Sequence, residues 1–173
     1  MCSERETDYR LMARQVEELV GGKTFWVGAL ANVSALLFSE MHDINWVGFY
    51  LRESLVVSGG GDRLVLGPFQ GRVACERIAF GKGVCGTAAA ADRVVRVEDV
   101  HAFAGHIACD SASSSEIVLP LHVAGTVVGV LDIDSPVLAR FTEQDEEGLR
   151  LVVHALEFSG VLSDVVTPSC PGL

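Results

Sequence analysis

At 173 residues the chain fits one domain, and its 49% hydrophobic and 21% charged content excludes disordered, collagen-like and low-complexity classes. Its 13 basic residues are scattered among 23 acidic ones, for a net charge of −10. That balance excludes nucleic acid as a default partner, because a phosphate backbone needs clustered Lys and Arg. No apolar run reaches the ~18 residues of a membrane span. The charged start Met1-Cys2-Ser3-Glu4-Arg5-Glu6 precedes no signal-peptide core, so a cytoplasmic location without membrane contact is expected.

Thr7 is placed to cap a first helix through Tyr9, Leu11, Met12, Val16 and Leu19, which Gly21-Gly22 ends. A second helix starts near Thr24, with Phe25, Leu30, Val33, Leu36 and Leu37 recurring at threes and fours. Ile44 to Leu51 reads as a strand, being rich in aromatic and β-branched residues. Ser58-Gly59-Gly60-Gly61-Asp62 reads as a turn, and Leu64-Val65-Leu66 and Glu76 to Phe80 as short strands. After Gly81-Lys82-Gly83, residues Val84 to Ala91 have the composition of a short helix, and Val94 to Val97 of a strand. His101 to Ser115 lacks a periodic pattern and reads as a structured loop. Glu116 to Val123 and Thr126 to Asp134, joined by Ala124-Gly125, form a predicted hairpin that Ser135-Pro136 ends. Thr142 and Asp145 resemble a capping box before a last helix with Leu149, Val152, Val153 and Leu156 on one face. The pattern predicts an α+β fold with a mostly antiparallel sheet and helices packed on it.

The five cysteines are Cys2, Cys75, Cys85, Cys109 and Cys170. Their odd number and the lack of a C-x-x-C pair fit neither a secreted disulfide framework nor a common zinc module. Cys170 is fourth from the end, but Pro171 and Gly172 do not suit the aliphatic positions of a prenylation box. Cys85 opens a predicted helix, where unpaired N–H groups and the dipole favour thiolate. Cys109 lies in the irregular loop, three residues after His106. Each cysteine can equally be a small buried hydrophobe. The histidines show no metal-ligand spacing, so neither a metal nor a cofactor is expected.

Asp132 and Asp134 are two apart on one predicted strand and share a face. Pairing about Ala124-Gly125 brings Glu116 near them. Three acids there repel one another unless a cation or shared protons compensate. A solvated face would accommodate them, but Val128 and Val130 on the same face favour a pocket wall. Trp46 and Tyr50 flank Gly48 on one strand face, which reads either as core or as a slot for an apolar ligand group.

Six segments carry a resemblance: Leu64 to Cys75, Phe80-Gly81-Lys82-Gly83-Val84-Cys85-Gly86-Thr87-Ala88, Asp99-Val100-His101, Gly105-His106-Ile107-Ala108-Cys109-Asp110-Ser111, Glu116 to Leu121, and Val130-Leu131-Asp132-Ile133-Asp134-Ser135-Pro136. Together they resemble the free methionine-(R)-sulfoxide reductases, which are single GAF domains, over about Thr24 to Leu156. The resemblance implies a six-stranded antiparallel sheet flanked by helices, as a homodimer. Residues 24–160 would form the GAF domain, 1–23 an N-terminal helix and 161–173 a tail. It implies Cys109 as nucleophile and Cys75 and Cys85 as resolving cysteines. Glu116, Asp132 and Asp134 would be the substrate-binding carboxylates, and Trp46 and Tyr50 the aromatic wall at the methyl group. The implied substrate is free methionine-(R)-sulfoxide, and the implied reductant is a dithiol such as thioredoxin. A GAF module that senses a small molecule or redox state without turnover is the alternative. The Glu53 to Asp62 stretch is longer and more Gly-rich than the resemblance leads one to expect, and is expected to stay clear of the chemistry.

Overall fold

Alternation along the strands sorts the side chains onto two faces of one sheet. In a computed structural model, which describes residues 7–22, 25–105 and 112–166, the strands are β1 (Trp46–Arg52), β2 (Arg63–Gly71), β3 (Arg77–Ala79), β4 (Val95–Val97), β5 (Ser115–Val123) and β6 (Thr126–Ser135). They lie in the order β3-β2-β1-β6-β5-β4, with every neighbouring pair antiparallel. Val47, Phe49, Leu119, Leu131 and Ile133 point to one face and pack against the helices α1 (Tyr9–Val20), α2 (Trp26–Glu40) and α5 (Glu143–Ser159). Trp46, Tyr50, Val118 and Val130 point to the other face, which α4 (Gly83–Ala91) covers. Among the described residues, no helix is long and apolar enough to cross a membrane.

Two irregularities differ from a plain alternation. In β6 the register slips between Leu121↔Gly129 and His122↔Val127, so Val128 is an extra residue. The bulge turns Val128 into the helix-side core, away from the acids whose face it was expected to share, and leaves Val130 there. In β2 the register slips between Gly48↔Phe69 and Tyr50↔Leu66, at Gly67-Pro68. A bulge accommodates a proline that cannot donate to the ladder, so β2 runs on well past the expected Leu64–Leu66.

The helix ends follow local chemistry. Asp8, not Thr7, caps α1, its carboxylate accepting from the Leu11 N–H at 2.9 Å. Phe25 precedes α2 without a side-chain cap, and Thr24 lies outside the described residues. Thr142 and Asp145 form the expected capping box of α5. The same Asp145 accepts a hydrogen bond from the Tyr9 hydroxyl at 2.5 Å, tying α1 to α5. Gly148 makes that packing possible, since a Cβ there would lie 2.2 Å from the Tyr9 ring.

The Glu53 to Asp62 stretch begins with a one-turn helix, α3 (Glu53–Val56). Buried Glu53 accepts from Arg63 Nε at 2.6 Å, Arg77 Nε at 2.5 Å and the Gly61 N–H at 2.9 Å. The bonds from Arg63 and Arg77, then that from Gly61, hold its carboxyl well below the usual range. The stretch is thus a clamp that fastens β1 to β2 and β3.

The β5–β6 turn puts both Ala124 (φ 49°) and Gly125 (φ 75°) in the left-handed region, as a two-residue hairpin of this hand requires. Alanine is strained there and asparagine is not. Ala124→Asn should therefore raise unfolding free energy by about 0.5–1 kcal/mol in denaturant titration. Gly148→Ala should lower it by about 1–3 kcal/mol through overpacking against Tyr9.

Candidate functional site

The face under α4 gathers three polar groups into an apolar setting. The antiparallel register places Glu116 opposite Asp134 and Val118 opposite Asp132, because the bulge at Val128 shifts by one the Glu116↔Ile133 pairing that the two-residue turn alone would give. Glu116 and Asp132 are each only 6% exposed, whereas Asp134 is half-buried nearer the rim. Across from them, α4 brings in Cys85, 3% exposed. The Gly81-Lys82-Gly83-Val84-Cys85-Gly86 string shows how. Gly81 (φ 75°) and Gly83 (φ 59°) adopt left-handed backbone at the helix entry. A Cβ on Gly86 would lie 2.3 Å from the Ala79 carbonyl oxygen, so only glycine lets the first turn sit on β3.

The Cys85 thiol donates to Glu116 Oε1 at 3.8 Å, and single ligand atoms of Cys85, Glu116 and Asp132 all lie within 4.8 Å of one another. Two unit charges about 4 Å apart repel by roughly 4 kcal/mol at an effective dielectric of 20, so the three cannot all ionise. Burial, then the neighbouring charges of Asp132 and Asp134, pushes the Glu116 carboxyl well up. Burial also raises Asp132 to about 6, although hydrogen bonds from Cys85 and Glu116 oppose it. Burial, then the charges of Asp132 and Glu116, pushes the Cys85 thiol well up. The helix-start argument for a Cys85 thiolate therefore fails. Asp132 Oδ1 is buried and accepts no hydrogen bond among the described residues.

Trp46 and Tyr50 form the adjoining wall. Their rings stack 5.9 Å apart at 25°, and Trp46 stacks on Phe69 at 5.3 Å and 15°. A Cβ on Gly48 would lie 2.3 Å from Phe69 Cβ and 2.7 Å from Trp46 Cη2. The space above Gly48 thus holds the chain's own rings and is not a slot. Phe69 lies beyond the expected Leu64–Leu66 strand, on the part of β2 that runs past Gly67-Pro68. Trp46 Nε1 donates to the Arg72 carbonyl at 3.0 Å, and the Tyr50 hydroxyl to the Cys75 carbonyl at 3.0 Å. Burial, then the charge of Asp132, keeps the Tyr50 phenol protonated. Half-buried Cys75 is disulfide-bonded and Cys85 is free. Cys109 and His106, like Cys2 and Cys170, lie outside the described residues.

The GAF domain family model matches residues 10–159. The chain is 56% identical over 149 residues to the free methionine-R-sulfoxide reductase of Escherichia coli, covering 86% of each chain. It is 45% identical to the free methionine-R-sulfoxide reductase of Neisseria meningitidis solved in complex with its substrate, with a TM-score of 0.82 and 92% of each chain covered. It is also 45% identical to the reduced form of fRMsr from Staphylococcus aureus, with a TM-score of 0.82, covering 92% of this chain and 99% of that one.

A raised carboxyl stabilises the fold fully below its unfolded value, near 4 for aspartate, and loses that contribution as pH rises through its folded value. For Asp132 the loss runs from about pH 4 through about 6. Asp132→Asn, which cannot ionise, should be about 1–3 kcal/mol more stable than the unsubstituted chain at pH 8, and near equal to it at pH 4. Denaturant titrations at the two pH values check this, and an equal difference at both would remove the ionisation argument.

Proposed function

The chain belongs to the free methionine-R-sulfoxide reductases of the GAF domain family, and from that premise we propose that it reduces free methionine-(R)-sulfoxide to methionine by cysteine chemistry. The observation that carries the reading is the convergence of Glu116 and Asp132, both buried and both raised, beside the Trp46–Tyr50 wall. Sulfoxide reduction needs a proton delivered to oxygen near neutral pH, and a carboxyl can supply it only if its pKa is raised. Glu116, pushed well up by burial and then by the charges of Asp132 and Asp134, is the proton donor in this reading. Asp132, ionised above about pH 6 and with Oδ1 unpartnered, holds the substrate ammonium with Asp134. The aromatic wall takes the methyl group.

Cys109 then attacks the substrate sulfur as thiolate. The substrate S–O bond breaks as oxygen passes to the cysteine, releasing methionine and leaving Cys109 as sulfenic acid. A second thiol displaces hydroxide, which leaves as water, and forms a disulfide. A dithiol such as thioredoxin reduces that disulfide by exchange. Cys75 is the first resolving thiol in this reading. Its half-buried position and its part in a disulfide support this, whereas Cys85 is free, sealed and protonated. The cycle belongs in a compartment that keeps thiols reduced, such as the cytoplasm. A homodimer is part of the same proposal.

The test is NADPH consumption with thioredoxin, thioredoxin reductase and free methionine-(R)-sulfoxide. Cys109→Ser should abolish turnover and sulfenic acid trapping. Cys75→Ser should release one methionine per chain and then stall, while Cys85→Ser should recycle more readily. Glu116→Gln should cost about 10²–10⁴-fold in rate. Full activity of Cys109→Ser would overturn the nucleophile, and no consumption at all would favour a GAF sensor without turnover.

Substrate scope is a separate expectation. An N-acetylated, amidated sulfoxide leaves a buried carboxylate without its cation, which is costly. It should therefore turn over far more slowly than the free amino acid, as should the free S epimer. Comparable rates would remove the ammonium pocket.

A further inference from the structure

We propose that Cys85, Glu116 and Asp132 form a binding site for a thiophilic divalent cation of the zinc class, which acts as an inhibitor and not as a resident cofactor. Three elements supply the donors: α4, β5 and β6. Linear spacing gave no hint of it, because the ligands are 31 and 16 residues apart and only the fold brings them within 4.8 Å of one another. A tetrahedral zinc with sulfur at about 2.3 Å and oxygen at about 2.0 Å has a sulfur–oxygen edge of about 3.5 Å. Cys85 Sγ and Glu116 Oε1 are already 3.8 Å apart, so small rotations close the shell. A second observation points to a ligand. Asp132 is 6% exposed, and its Oδ1 has no hydrogen-bond partner among the described residues. A buried carboxylate oxygen without a donor is costly, and a cation relieves that cost.

Selectivity follows from the donor set. One sulfur among two carboxylate oxygens disfavours magnesium and calcium, which take oxygen ligands, and suits zinc or its spectroscopic substitute cobalt. Binding displaces the protons that Cys85 and the carboxyls hold, with no change of oxidation state. Three protein ligands leave a fourth position open for water. The site itself stands on the cluster geometry alone. Its inhibitory role rests on the reductase reading, because the ion would occupy the carboxylates assigned there to proton delivery and ammonium binding.

The experiment uses the full reduced chain and Co²⁺ as probe. Equilibrium dialysis should give one Co²⁺ per chain, with thiolate-to-cobalt charge-transfer absorption that Zn²⁺ abolishes and Mg²⁺ does not. Cys85→Ser should lose the band. Asp132→Asn, whose fold is not expected to suffer, should weaken Co²⁺ binding at least tenfold and decides the matter if Cys85→Ser does not fold. Cys2→Ser and Cys170→Ser should keep the band. No Co²⁺ bound, or a band that survives both Cys85→Ser and Asp132→Asn, overturns the site. Zn²⁺ bound at that site without loss of turnover overturns the inhibition and leaves the site. Co²⁺ binding by a chain that reduces no sulfoxide upholds the site while the functional reading falls.

Discussion

Burying two carboxyls and a thiol on one sheet face is the constraint around which the rest is arranged. Such a group is tolerated only if protons or a cation neutralise it, because a second charge at about 4 Å costs roughly 4 kcal/mol even at an effective dielectric of 20. The hairpin sets up this conflict. Its two-residue turn and the bulge at Val128 together set Glu116 opposite Asp134, and the period of two places Asp132 on the same side. Without the bulge Glu116 would pair with Ile133, and either it or the two aspartates would turn toward α1, α2 and α5, into a core of Val, Leu and Ile. The bulge at Val128 sits between the turn and the acids. Any change there that restored plain pairing would shift their register, so the turn and the bulge must be matched.

The same constraint decides what Cys85 can be. A helix N-terminus favours thiolate by about 0.3–1 kcal/mol at an exposed surface. Burial and two adjacent carboxyls oppose it with several times that amount, and the thiol stays protonated. A group so held is a poor resting nucleophile and a good hydrogen-bond donor to Glu116. This supports assigning the first attack to another cysteine. It also supports treating Cys85 as part of the acid cluster.

Much of this arrangement could be read from the chain because it depends on local rules. Alternation gave most of the strand faces, Ala124-Gly125 gave the hairpin that brings Glu116 near the aspartates, and Thr142 with Asp145 gave the α5 cap. What escaped was set by tertiary contacts. Val128 looks like a neighbour of Val130 until a bulge is known, and no local signal marks the bulge. Thr7 and Asp8 are both good caps, and only the bond from the Leu11 N–H separates them. Gly48 suggests an empty slot in sequence, whereas Phe69 arrives there from the part of β2 beyond the expected Leu64–Leu66. Burial of Glu53 cannot be foreseen either, since its partners Arg63 and Arg77 lie 10 and 24 residues away.

Glu53 and the aromatic wall meet in the segment that carries Cys75. Trp46 donates to the Arg72 carbonyl, Tyr50 to the Cys75 carbonyl, and the Leu66 N–H to the Glu76 carbonyl at 2.9 Å, while Glu53 holds Arg77. Residues 72–77 are therefore fastened at four points, two of them on the rings proposed to take the substrate methyl group. Three of these bonds run through main-chain carbonyls, so they position the backbone of the segment. The clamp on buried Glu53 and the buried rings thus hold one segment from the two ends of β1.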